Sequence, residues 1–283
     1  MLYLLDLVLV LHMLLKKLFY LMMLGLFAVA CEQPAPENNE PTVSDSSLIV
    51  VSKTIGDHQA VVIKPSEFQR SAPVVVVLAD DLELRTRMSP VSETPEVNFK
   101  AAEHCLIGGY TLCIIGVDSK DDLVFLRSIK NEFPYAAKLY LLSYRNGLAY
   151  TAAMQMPEIF AAFGCVSSAI DVESYKTNSF TKPVSFVHVH ATENPEFKWT
   201  GVENKSASIP LSVGAVVAVD ECTHYTTGKL LPRDGKGVVS YTKYLGGKDG
   251  HEVVLYSVEG ANAGWCDEEF EVYNQIWNFY KIH

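Results

Sequence analysis

Basic residues are scarce in this sequence: 23 Lys and Arg stand against 33 Asp and Glu, a formal net charge of −10. They are also scattered, which excludes the clustered cationic surface that nucleic acid requires. An internal repeat at a fixed period is missing, so solenoid and propeller architectures are excluded. Asp80, Asp81 and Glu83 gather acids in one short stretch. Neither a D-x-D-x-D-G nor an H-E-x-x-H spacing accompanies them, so no metal and no cofactor is expected. Cysteine is sparse too. After Cys31 only Cys105, Cys113, Cys165, Cys222 and Cys266 remain, an odd number that cannot all pair within the chain. The first three sit in apolar runs and read as buried thiols, which leaves Cys222 and Cys266 as the more natural pair, with the connectivity open.

What is present is apolar mass: 49% of 283 residues are hydrophobic and 20% charged, enough for one large core or two small ones. Near the N-terminus Lys16 and Lys17 precede an apolar run, Leu18 to Val29, that ends in Ala28-Val29-Ala30-Cys31. This resembles a bacterial lipoprotein signal with its lipobox, and Met13 makes a more natural start for it than Met1. The resemblance implies cleavage of residues 1–30 and lipidation of Cys31. The product is an exported lipoprotein of the bacterial cell envelope, held on the membrane by its lipid anchor. The alternative is an uncleaved membrane helix, against which the run after the lysines is shorter than the ~20 residues a span needs. Residues 31–46 are Pro-rich, acidic and free of aromatics, the composition of a disordered tether. The folded domain is therefore expected over residues 47–283.

From Ser47 onward two periods alternate. "SLIVVS", "QAVVIK", "PVVVVLA", "TLCIIGV", "KLYLLS", "PVSFVHV" and "EVVLYSV" read as strands, the later ones continuous enough to be buried on both faces. Helical stretches separate them. "DDLVFLRSIKNEF" places Leu123, Leu126 and Ile129 at helical spacing behind the acids Asp121 and Asp122, and "DEEFEVYNQIWNFYKIH" closes the chain in the same way. Strands alternating with helices predict a mostly parallel sheet with helices on both faces.

The order of "APVVVVL", "DDLVFLRSI", the strand, turn and helix at 139–155, "PEIFAAFGCVSS", "VHVHATENP" and "HEVVLYSVEGANAGW" resembles α/β-hydrolases of the polyhydroxybutyrate depolymerase and feruloyl esterase type, over roughly residues 60–283. The resemblance implies an α/β-hydrolase-like fold and three catalytic positions. The family's G-x-S-x-G elbow falls on Ser143-Tyr144-Arg145-Asn146-Gly147, so Arg145 stands where the nucleophile belongs. A guanidinium has no free lone pair with which to attack a carbonyl. The acid of H-G-T-x-D-P falls on Asn194, with Glu193 one residue off, and the base of E-G-G-G-H-x-W falls on Ala263, two residues before Trp265. His188 and His190 alternate along a strand and read as packed or hydrogen-bonded structural residues; His251 sits at a strand start. Where the family has an H-G oxyanion loop this chain has Ala79-Asp80-Asp81, whose carboxylates oppose an anionic intermediate.

A pocket made of Asp80, Asp81, Tyr144, Arg145 and Trp265 is thus expected to lack acyl-transfer chemistry. Loss of a nucleophile or base alone typically costs about 10⁶ in rate. Arg145 at a helix start needs an anion, for which Asp80 or Asp81 is the expected partner if the arginine plugs a dead site. If instead it faces an open cleft, it can recognise a small anionic ligand. The sequence therefore favours a non-catalytic homologue with a binding role or a structural role beside an envelope protein partner; the alternative is a carboxylic-ester hydrolase whose nucleophile has moved to Ser143 or Ser167.

Overall fold

The computed structural model describes residues 48–67, 69–80, 104–118, 122–230, 237–262 and 271–283, with the backbone alone at Asp80, all within the unit Val43–His283. The expected signal and tether, with Cys31, lie outside the described residues.

Among the described residues ten strands form one sheet: β1 (Leu48–Ile55), β2 (His58–Pro65), β3 (Val74–Asp80), β4 (Thr111–Val117), β5 (Leu139–Tyr144), β6 (Ala162–Val166), β7 (Phe186–Ala191), β8 (His224–Leu230), β9 (Val238–Leu245) and β10 (Val253–Glu259). Their spatial order is β1-β2-β4-β3-β5-β6-β7-β10-β9-β8. The six from β4 to β10 in that order run parallel, and an antiparallel hairpin closes each edge, β1 with β2 and β8 with β9. The chain leaves β3 for β4 on one side and β5 for β6 on the other. In open parallel sheets the crevice at such a reversal, outside the carboxyl ends of the strands, is where ligands bind.

Helices cover both faces, and the strand residues sort between them by alternation. Val74, Val76 and Leu78 of β3, Leu141 of β5 and Phe163 of β6 pack with α2 (Leu148–Gln155) and α4 (Ile209–Asp220). Val75, Val77, Tyr140, Leu142 and Val187 face α5 (Val272–Tyr280) instead. Tyr280 of α5 donates to the Leu141 carbonyl at 2.7 Å and stacks on Tyr140 with ring centres 4.7 Å apart. That packing requires a glycine at 164, because a Cβ there would stand 2.6 Å from the Tyr280 hydroxyl.

All seven expected strands are present. "DDLVFLRSIKNEF" is tighter than its apolar spacing implies: a 3₁₀ helix, Leu123–Ser128, leads into the short α1 (Ile129–Glu132). Asp122 caps it through a 3.0 Å bond from the Val124 N–H instead of sitting in the first turn. Cys105, Cys113 and Cys165 are buried thiols that burial pushes up to about 12. Cys222 carries a free thiol among the described residues, and Cys266, the partner expected for it, lies outside them. A further short helix, α3 (Val172–Thr177), begins at the capping Asp171.

Asp220 ends α4 with no exposed surface. Its Oδ1 accepts the Val184 N–H at 2.9 Å, while Oδ2 has no partner among the described residues. Burial raises the carboxyl from 3.8 to about 7, and the helix C-terminus disfavours its charge further. A carboxyl raised on folding stabilises fully below about pH 4 and loses that contribution as pH climbs through 7. Asp220→Asn keeps the acceptor for Val184 and removes the charge. It is expected to stabilise the protein by about 1–3 kcal/mol at pH 8, a gain that vanishes below pH 4 in urea titrations. A loss at pH 8 would contradict this account.

Candidate functional site

The elbow lies where β5 meets α2. Tyr144 closes the strand and is buried on the α5 face; Arg145 follows at φ +57°, in the left-handed region. Gly147 makes the turn tight, since a Cβ there would stand 2.3 Å from the Ala169 carbonyl oxygen. Asn146 locks it. Its Nδ2 donates to the Leu78 and Tyr144 carbonyls at 3.2 and 3.0 Å, and its Oδ1 accepts the Leu148 N–H at 3.3 Å, which ties the end of β3 to the start of α2.

Arg145 projects from this turn into a cavity of about 1080 Å³ at the carboxyl ends of the parallel strands. Its side chain is 44% exposed and the guanidinium meets Glu196 at 3.2 Å, while Lys205 reaches the other oxygen of the same carboxylate at 3.4 Å. Glu196 is therefore shared between two cations. It arrives from a turn that Asn194 builds: buried Asn194 accepts the Glu196 and Phe197 N–H groups on Oδ1, each at 3.0 Å, and donates from Nδ2 to the Ser167 carbonyl at 3.4 Å. An aspartate could take the first two bonds and not give the third. Elsewhere the cavity wall is acidic, with Asp57, Asp118, Asp171 and Glu173 beside Glu196.

The loops after β7 and β10 leave the sheet at one end and are laced together. Thr192 N–H donates to the Val258 carbonyl, Glu193 N–H to the Ala261 carbonyl and Gly260 N–H to the Thr192 hydroxyl. The structure thus brings Arg145 and Asn194 to one end of the sheet. Ala263, Trp265, Asp81 and the side chain of Asp80 lie outside the described residues. Ser143 and Ser167 are 0% and 1% exposed; Ser143 sits in the sheet opposite Cys165, and Ser167 turns the chain after β6 at φ +57°.

His188 and His190 are fully buried on β7. His190 donates from Nε2 to the Phe197 carbonyl at 2.8 Å, its Nδ1 stands 3.5 Å from His188 Nε2, and His188 Nδ1 stands 2.7 Å from the Tyr150 hydroxyl. Burial lowers His188 well below the ordinary 6.5, helped by its neighbour, and lowers His190 to about 4. His251 bonds through Nδ1 to the Ser185 hydroxyl at 3.0 Å. His58 also lines the cavity, packed on Phe125 with Nδ1 3.2 Å from the Gly116 carbonyl. Sequence reasoning missed His58 and Glu196, whose roles come from tertiary placement. The available signals were the Gly56-Asp57 turn before His58 and the Asn194-Pro195 turn before Glu196.

No family model matches the sequence, and no curated protein matches it. Solved structures do. Oligopeptidase B from Leishmania major is similar over 85% of this chain and 37% of its own, with a TM-score of 0.52 and 10% identity. A serine hydrolase homologue from Coxiella burnetii gives 0.44 and 11% over 83% of this chain and 96% of its own. Acetyl xylan esterase from Aspergillus awamori gives 0.47 and 11% over 76% and 93%. The chain spans about a third of the length of the prolyl endopeptidase and the oligopeptidase it matches. The sheet order and the likeness to the oligopeptidase together show an α/β-hydrolase-like fold.

Holding a residue with a Cβ in the left-handed conformation costs about 1–2 kcal/mol, which glycine avoids. An ion pair as exposed as Arg145 with Glu196 returns only about 0.2–1 kcal/mol. Arg145→Gly is therefore expected to leave stability unchanged or raise it by up to about 1 kcal/mol in urea unfolding. A loss above about 1 kcal/mol would make the guanidinium a structural plug.

Proposed function

We propose that this protein is a non-catalytic α/β-hydrolase homologue of the polyhydroxybutyrate depolymerase and feruloyl esterase type, anchored to the bacterial envelope as a lipoprotein, that binds a ligand in the cavity over its elbow. The observation that carries the reading is Arg145 at the apex of the left-handed turn, half exposed in an open cavity. A nucleophile elbow holds its apex residue in this way so that the side chain stands clear of the sheet. Here the raised group is a cation that recognises charge and attacks nothing.

Glu196 supports an anionic ligand by example, since Arg145 and Lys205 already share a carboxylate between them. A ligand acid can take its place. The five carboxylates on the cavity wall argue against polyanions and favour a small molecule with a single acidic group. Lipidation at Cys31 rests on the Ala28-Val29-Ala30-Cys31 sequence.

The competing reading is an esterase with a relocated serine, and one experiment separates the two. A fluorophosphonate probe is expected to leave the folded protein unlabelled, and p-nitrophenyl acetate and butyrate to turn over no faster than with heat-unfolded protein. Labelling at Ser143 or Ser167 would establish the esterase. Anchoring is tested independently: Cys31→Ser is expected to leave the precursor unprocessed and the protein out of the detergent-soluble membrane fraction, and unchanged processing and fractionation would refute it.

A further inference from the structure

The hydrogen bonds around His188 and His190 run in one direction, and each proton has a fixed place. The Phe197 carbonyl can only accept, so His190 carries its proton on Nε2. His190 Nδ1 is then an acceptor, which puts a proton on His188 Nε2 across the long 3.5 Å contact. His188 Nδ1 is left to accept from the Tyr150 hydroxyl at 2.7 Å. The chain is complete only while both rings are neutral.

One added proton leaves His190 Nε2 donating to the Phe197 carbonyl and forces the two bonds beyond it to reverse. His190 would donate from Nδ1 to His188, His188 from Nδ1 to Tyr150, and the Tyr150 hydroxyl would be left to find another acceptor. Among the described residues no carboxylate faces the pair to offset the charge. From α2 it faces Tyr150, held neutral well above its ordinary value, and from β6 Cys165, pushed up to about 12. From β10 it meets Leu255 and Ser257, and from the turn the Phe197 carbonyl and the Trp199 ring. Glu196 is engaged by Arg145 and Lys205, and Asp220 of α4 lies beyond the far end of β7, beside Val184. A buried charge so placed drives its ring toward water, and the cover on that side is the turn from Asn194 to Trp199.

We propose that His188 and His190 form an acid-sensitive latch: when the pair takes up a proton, the turn at 194–199 is released and Glu196 is withdrawn from Arg145. The latch concerns regulation of the cavity proposed above as the binding site, but its test reads the turn alone and needs no ligand. The sign follows from the lowered histidines. Latching is fully present above pH 6.5 and is lost as pH falls toward 4.

Hydrogen exchange at the Glu196 and Phe197 amides, both bonded to Asn194, reports the latch directly. With intrinsic rates corrected, their protection is expected to drop about thirtyfold between pH 7.5 and 5 while β5 amides keep theirs. His190→Gln can donate to Phe197 and accept from His188 without titrating, and is expected to abolish the drop. Three results would overturn the proposal: constant protection in the wild type, an equal drop in His190→Gln, or a parallel drop in β5. If that variant fails to fold, the wild-type histidine titration decides, since a His190 that protonates without loosening these amides contradicts the latch.

Discussion

Gly147 leaves no room for a side chain against the Ala169 carbonyl, and Asn146 fastens the preceding residues to β3, so the chain has only Arg145 in which to reverse between β5 and α2. The left-handed backbone at that residue is the consequence. It lifts whatever side chain occupies the position clear of the sheet, at the crevice where the strand order reverses. The backbone takes the turn with which a nucleophile elbow raises its apex residue, and the group raised here is a guanidinium. That cation cannot be deprotonated, and the turn aims it at an ionic contact with Glu196.

Everything near the elbow follows from supplying that cation with a partner. Asn194 shapes the turn that delivers Glu196, and Lys205 shares the same carboxylate. Beneath the turn, His190 holds the Phe197 carbonyl and is itself held through His188 and Tyr150. A half-exposed ion pair contributes little to stability by itself. Its geometry is fixed by the buried polar chain below it, in which each donor meets an acceptor.

Much of this was legible in the residues. Continuous apolar runs such as "PVVVVLA" and "KLYLLS" could only be strands buried on both faces, and they are the centre of the sheet. β6 escaped notice as a strand because Ala162–Val166 is short and rich in small residues. β8 and β9 escaped because His-Tyr-Thr-Thr-Gly-Lys-Leu and its partner are half-polar edge strands without a continuous apolar signal. The place of Arg145 at the apex of the turn was readable from its register with Asn146 and Gly147. The partner was not: Glu196 lies 51 positions along the chain, and only the docking of two loops brings it to the guanidinium. His188 and His190 were recognisable as structural from their alternation, whereas the direction of their hydrogen bonds depends on Phe197 and Tyr150, which no local pattern reveals.

Arg145 is proposed to act at the elbow as a recognition group. A panel of small monocarboxylates, dicarboxylates and inorganic phosphate at constant ionic strength, read as thermal shifts of the wild type and of Arg145→Gln, tests it most directly. The account predicts that at least one monocarboxylate raises the wild-type Tm in a concentration-dependent way and leaves Arg145→Gln unmoved. Equal shifts in both proteins, or no shift with any anion, would contradict it.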